Sequence, residues 1–303
     1  MNKAVTKLSG RTRPGRFALL TVGVLLWGAG LIGLPWWGVL DGPATRLIAF
    51  LATLAGMMCL FAGWGLLIVG DPFGVLQSAR NTYSLSRLQM VLWTLVVLSA
   101  IMALAACRAW GQARGLSNGE VSTALNIDIP QDLFVVMGIS FFSGAAAPAV
   151  LALKAQSDST PGQVNAASRR MGADLDVQGQ VVIRRSGKPR LVDVLRGDEV
   201  AIAGLIDLSK VQQLLITLIL ISVYFSMLAG MFSGDMLPTE VVEKSPTTPL
   251  PKFPRDFVTL LALSHGGYLA YKVSPKPAPG APGSYPSTDS GPPPPPDWRA
   301  AGN

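Results

Sequence analysis

The chain has 303 residues, with 25 Lys and Arg against 18 Asp and Glu, a formal charge of +7. Half of the residues are apolar, 14% are charged, and the mean hydropathy is +0.40. Soluble domains carry about 25% charge, so an ordinary water-soluble globule is excluded, as is a chain disordered throughout. Two cysteines and one histidine exclude a disulfide framework and a usual structural zinc centre. What remains is an integral membrane protein.

Residues 1–16 form a basic arm with Lys3, Lys7, Arg11, Arg13 and Arg16. The first apolar run, 17–40, is longer than the core of a signal peptide, and no small-residue cleavage site follows it. It is therefore expected to stay as a span, with Trp36 and Trp37 in the outer interfacial belt. The second run is 47–69, so 17–83 reads as a two-span hairpin. Further runs follow at 88–107, 133–153 and 211–232, and a shorter, weaker one at 257–271. The first five contain no Asp, Glu, Lys or Arg. About 20 apolar residues cross a bilayer core as a helix, and the unbroken runs favour helices over alternating strands. Cys59 and Cys107 fall in or at the end of spans, at different depths, and read as packing residues.

Counted by side, 19 Lys and Arg fall in the arm, the second-to-third connection, the fourth-to-fifth loop and the tail, and 6 fall opposite. The positive-inside rule then places both termini in the cytoplasm of a multi-pass inner-membrane protein. The expected fold is all-α: a six-helix transmembrane bundle.

Two segments repeat without gaps. Leu85-Ser86-Arg87-Leu88-Gln89 opens the third span and Leu208-Ser209-Lys210-Val211-Gln212 the fifth, 123 residues on, with Thr94 matching Thr217. A second pair, Pro130-Gln131-Asp132 and Pro254-Arg255-Asp256, opens the fourth and sixth spans at an offset of 124. The same order at nearly the same offset implies duplication of a two-span unit, 84–154 and 207–273, as a parallel repeat.

The repeated residues read as helix starts. Ser86 with Gln89 and Ser209 with Gln212 have capping-box spacing. Pro130 and Pro254 suit the first helical position, and Asp132 and Asp256 then meet the positive end of the helix dipole. Arg87 and Lys210 are expected to snorkel to headgroups.

The chain resembles a recurrent type of uncharacterised bacterial multi-pass membrane protein. The resemblance rests on residues 84–94, on Leu195-Arg196-Gly197-Asp198-Glu199 followed by 207–212, and on Ser264-His265-Gly266-Gly267-Tyr268-Leu269-Ala270-Tyr271-Lys272. It covers roughly the last two-thirds of the membrane region. It implies no particular activity and assigns no functional residue.

The cytoplasmic loop, 155–206, starts polar and loose. Residues 177–183 are expected to form one strand, 186–189 a turn, and 190–195 a second strand or short helix, together a small hairpin on the membrane face. Arg184, Arg185, Lys188 and Arg190 offer a contact for anionic lipid, although a solvated charged face is the simpler expectation. No aromatic residue stands in this loop to stack bases, which argues against nucleic acid. The tail, 274–303, rich in Pro, Gly and Ser, reads as disordered or polyproline chain.

His265 falls inside the sixth run beside Ser264, and an ionisable group there is a candidate intramembrane site. A neutral imidazole bonded to Ser140 is the structural alternative. Adjacent Ser264 and His265 point about 100° apart on a helix, so they are not a nucleophile and base. No phosphate loop, dinucleotide fingerprint or zinc-protease motif occurs, and no cofactor is expected. A non-enzymatic interaction or scaffold protein leads, with partners at the loop and tail. A small channel or transporter built on the repeat comes second, and a membrane enzyme using His265 third.

Overall fold

The computed structural model describes residues 14–33, 43–107, 127–172, 175–185, 187–234 and 248–276. The predicted basic arm, the Trp36–Trp37 belt and nearly all of the tail lie outside them. Helix α1 (Pro14–Gly28) runs on into a π-helical turn, Ala29–Gly33, and α2 (Pro43–Ile68) returns beside it. Glycines set their close approach. A Cβ on Gly56 would lie 2.5 Å from the backbone nitrogen of Trp27, and one on Gly23 would lie 2.9 Å from that of Leu60. Small residues let backbones meet in this way where lipid gives helices no hydrophobic incentive to associate.

Helix α3 (Leu85–Cys107), α4 (Gln131–Lys154), α6 (Leu208–Ser233) and α7 (Arg255–Val273) build the main core. Four helical stretches are long and apolar enough to cross a membrane: Ala44–Ile68, Leu85–Cys107, Gln131–Lys154 and Leu208–Ser233. The apolar stretch Phe17–Ile32 is shorter. Helix α7, with 19 residues, is not among the four. Its last turn and middle carry Lys272, Tyr268 and His265, which lower its apolar content. All four expose large apolar side chains, such as Met58 of α2, Leu98 of α3, Phe142 of α4 and Ile219 of α6, as lipid-facing surfaces require.

Inside, Trp93 and Leu104 of α3, Leu133 and Val136 of α4, Leu220, Tyr224 and Leu228 of α6, and Leu261 of α7 are buried together, with Phe50 of α2. Strand β1 (Ile127–Asp128) pairs in parallel with β4 (Thr248–Pro249) just before α4 and α7 begin. Beyond β4, Phe253 closes this end of the core, its ring centroid 5.8 Å from Trp93 and 5.4 Å from Tyr224.

At the opposite ends of these helices lies a folded polar layer. Helix α5 (Pro161–Met171) fills the stretch expected to be loose. Thr160 caps it, bonding Gln163 reciprocally, with Pro161 in the first turn and Gly172 left-handed at φ 57° after its end. This combination is a full start-and-stop signal. Strands β2 (Leu175–Gln178) and β3 (Val181–Arg184) form an antiparallel hairpin. The hairpin is therefore not the one expected. Its turn falls inside the predicted single strand, at Gly179, where φ is 58° and glycine is favoured. Residues predicted as a second strand or short helix are a 3-10 turn, Leu191–Leu195. Ala167, Val182, Val200 and Ala203 give the layer its own small core.

Candidate functional site: a buried ion cluster at the helix ends

One carboxylate of the layer gathers cations from α6, α7 and the loop before α3. Asp198 accepts hydrogen bonds from Arg80 (2.8 Å), from Lys210 of α6 (2.9 Å) and from Lys272 of α7. The three cations come from three separate segments of chain. The Asp198 side chain is 9% exposed, and those of Lys210 and Lys272 are 4% and 5% exposed. Burial alone would push the Asp198 carboxyl up. The adjacent Arg80, Lys210 and Lys272 outweigh it and hold the group well below the ordinary carboxylate range. Lys210 also donates to the carbonyl of Arg196 (2.6 Å), and Lys272 to the Tyr268 hydroxyl (3.0 Å).

The neighbouring acid is paired as well. Glu199 accepts from Lys154 at the end of α4 (2.8 Å), and Lys154 donates in turn to the carbonyl of Ser274 (2.9 Å). Burial raises the Glu199 carboxyl against the pull of Lys154. Asp207 caps α6, its Oδ1 accepting from the Ser209 amide (3.0 Å), the Ser209 hydroxyl (2.6 Å) and the Lys210 amide (3.4 Å). A third pair lies toward the hairpin, where Arg184 meets Asp193 at 3.0 Å with both side chains nearly fully buried. Arg80 reaches this assembly because its loop is docked on the hairpin: the Arg80 carbonyl accepts from the Arg184 amide at 3.2 Å. Asn81, left-handed at φ 57°, donates to the carbonyl of Gly187 at 3.1 Å.

Several sequence expectations are corrected here. The loop is a solvated charged face only in part: Arg185, Lys188 and Arg190 are exposed, but Arg184, Asp193, Asp198 and Glu199, with Asp207 just beyond the loop, are buried. Lys210 does not snorkel, because it is drawn inward by Asp198. Arg184 is not turned to lipid, since Asp193 holds it, whereas Arg185, Lys188 and Arg190 are exposed. Ser209 is not the cap of α6, because Asp207, two residues earlier, takes that place. Ser86 and Gln89 also lie inside α3, which starts at Leu85. Pro130 and Pro254 sit one position earlier than expected, as the residues preceding α4 and α7, with Asp132 and Asp256 in the first turns.

The two predicted glutamines part company. Gln212 is exposed, and its neighbour Gln213 is fully buried. Gln89 donates to the Thr217 hydroxyl at 2.7 Å and accepts from Gln213 at 3.2 Å, and Thr217 donates to the Gln213 carbonyl at 2.8 Å. Helices α3 and α6 are thus joined by a polar knot inside the span.

His265 is buried, but it does not bond Ser140. Its Nδ1 lies 3.0 Å from the Leu261 carbonyl one turn earlier. The His265 Nε2 and the hydroxyls of Ser140, Ser143 and Ser264 have no hydrogen-bond partner among the described residues. An open, mostly apolar groove of about 370 Å³ runs along α4 and α7, lined by Gly138, Phe142, Ala262, His265 and Gly266. No group of three or more His, Cys, Asp and Glu gathers among the described residues to hold a metal ion.

The ion cluster was missed as a site, although its pieces were visible. Asp198, Lys210 and Lys272 stand in three separate motifs, and the fold brings those motifs to one point. The chain matches no protein-family model, no curated protein and no solved structure.

Proposed function

We propose that the protein is a non-enzymatic membrane platform, whose helices carry a folded cytoplasmic layer that partners dock on. The observation that supports this most is the fastening of that layer. Asp198 takes cations from three segments, so the layer is held rigidly at the membrane face instead of trailing from it. Rigid presentation lowers the ordering cost of association. In this reading the chain crosses the inner membrane six times, with both termini in the cytoplasm. Helices α1 and α7 complete the bundle, and the Pro-rich tail adds a flexible docking segment. The parallel repeat fits the same reading. Duplicated two-span units enter the membrane in the same direction, and the segments leading to α4 and α7 pair in parallel, Ile127 with Thr248.

The test is photo-crosslinking in cells from Asn165 and Gln178, both exposed on the layer. Leu263, on the lipid-facing side of α7, is the control position. A discrete protein adduct from the layer positions and none from Leu263 is expected. Absence of a layer adduct, with the protein correctly inserted, would remove the platform reading.

A channel or transporter is the second reading, and the Gln89–Thr217–Gln213 knot favours it. Polar groups inside a span are costly and mark solute or proton paths. Proteoliposomes holding the full chain would have to pass protons or a small polar solute faster than empty vesicles. Flux equal to that of empty vesicles ends this reading, and unchanged flux in His265→Ala removes His265 from it.

A further inference from the structure

The 3-10 turn Leu191–Leu195 has an inner and an outer face. On the inner face Val194 is buried with Leu85 of α3, and Leu88 and Leu214 pack against the same cluster. One residue on, the Leu195 carbonyl accepts from the Asp207 amide at 2.8 Å, immediately before α6 begins. These contacts hold the turn level with the first turns of α3 and α6, both of them spans by length and composition. That level is where a bilayer's acyl region meets its headgroups.

The outer face has the chemistry of that boundary. Leu191 and Val192 are 57% and 53% exposed, and Leu208, the first residue of α6, is 72% exposed. Lys188 and Arg190 precede them, both exposed. The nearest acid in the turn, Asp193, is buried and engaged by Arg184 and Arg196, so it leaves the rim positive. Arg185, slightly further off, is shared with Asp176 in the open at 3.3 Å.

From this placement we infer that Leu191 and Val192 insert into the cytoplasmic leaflet, while Lys188 and Arg190 bind anionic phospholipid headgroups. Apolar side chains dip into the acyl boundary as an interfacial helix face does. Each cation near an anionic surface favours acidic lipid about fivefold. The contact is independent of partner docking, because it uses the edge of the layer that faces the bilayer. It also replaces the four-residue patch expected from sequence: Arg184 leaves it, and the apolar pair joins it.

The experiment uses the full chain in nanodiscs of phosphatidylcholine, with or without about a third phosphatidylglycerol. An environment-sensitive dye is attached at Leu191→Cys in a Cys59→Ala, Cys107→Ala background, and separately at Val192→Cys. Blue-shifted emission that shallow spin-labelled lipids quench is expected at both positions. Both effects should be stronger with phosphatidylglycerol. Lys188→Glu with Arg190→Glu, checked for an unchanged unfolding temperature, should abolish the phosphatidylglycerol-dependent increment. Water-like, unquenched emission in both lipid mixtures would overturn the inference. So would an increment that survives the double charge reversal, or a blue shift that arises only on adding a soluble acidic protein.

Discussion

Asp198→Asn tests how much one carboxylate contributes to holding the polar layer on the helix ends. The change keeps the shape and removes the charge that Arg80, Lys210 and Lys272 share. Their side chains are 17%, 4% and 5% exposed, so water does little to compensate. Removing one partner of a buried pair costs about 3–5 kcal/mol. Three contacts do not triple this, because groups in one network are not additive. Lys210 and Lys272 also keep the Arg196 carbonyl and the Tyr268 hydroxyl as partners. The expected loss is therefore about 3–5 kcal/mol, or about 6–20 °C at about 2–4 °C per kcal/mol.

The assay is thermal unfolding in detergent, followed by tryptophan fluorescence, with proteolysis across 185–190 reporting release of the layer. The open pair Arg185–Asp176, at 59% and 48% side-chain exposure, supplies the control, and Asp176→Asn should cost less than about 1 kcal/mol. Adding Lys210→Met to Asp198→Asn should restore part of the loss by removing one uncompensated cation. The pH sign follows from the depressed Asp198 carboxyl. Its contribution is complete above the unfolded-chain value of about 3.9 and disappears as pH falls through the folded value. The gap between wild type and variant should persist from neutral pH down to mild acid and close only in stronger acid. A loss under about 1 kcal/mol at neutral pH, matching the surface pair, would refute the reasoning.

Other consequences are open to direct measurement. Gln89→Leu leaves Gln213 without its acceptor inside the span and should cost about 1–3 kcal/mol; combined with Thr217→Val and Gln213→Leu, the loss in chemical denaturation should be smaller than the sum of the single changes. Gly56→Leu drives a side chain into the Trp27 backbone and should cost about 1–3 kcal/mol by overpacking, whereas Gly28→Ala, whose Cβ meets nothing within 4 Å, should leave the unfolding temperature unchanged. Burial lowers Lys276 to about 8 against the opposing pull of Glu199. The destabilising effect of charging it is complete below that pH and is relieved as pH rises toward the unfolded value of about 10.4, so wild type should gain stability across this window and Lys276→Gln should not.

Four of the six expected spans were legible because bilayer solvation acts on composition, whereas the runs 17–40 and 257–271 are not among the helices long and apolar enough to cross. Helix α5 was legible too, but overlooked: Thr160, Pro161 and Gln163 carry a capping box and a first-turn proline in four residues. The hairpin was misplaced because Val177, Val181 and Val182 all favour strand, and Gly179 between them was read as part of the run. The ion cluster lay beyond local pattern altogether. Lys210 in a helix-start motif looks the same whether it reaches for a headgroup or for a carboxylate. The choice depends on where Asp198 arrives, and that is set by Val194 and Val200 packing more than a hundred residues after Arg80. Gln213 differs in kind. The repeat directs attention to Gln212, but the buried face of α6 runs through Lys210, Gln213, Thr217 and Tyr224, which is the helical period.

Buried ion pairs change what the charge count of this chain means. Lys210, Lys272 and Arg80 stand among the 19 basic residues assigned by sequence to the cytoplasmic side. On the proposed topology they would count during insertion as unpaired cations, because Asp198 is far away in an unfolded chain. The inside bias responds to Lys and Arg and only slightly to Asp and Glu. Once folded, the same three cations converge on Asp198, and the exposed positive charge at that edge falls to Arg185, Lys188 and Arg190. On the proposed topology, one set of residues would orient the chain first and fasten the layer afterwards, and Lys188 and Arg190 would meet the lipid. It follows that Asp198→Asn should lower stability without inverting topology. Reversal of Lys188 and Arg190 should alter lipid contact without loosening the clasp. The two effects separate because the fold has sorted the cations by depth.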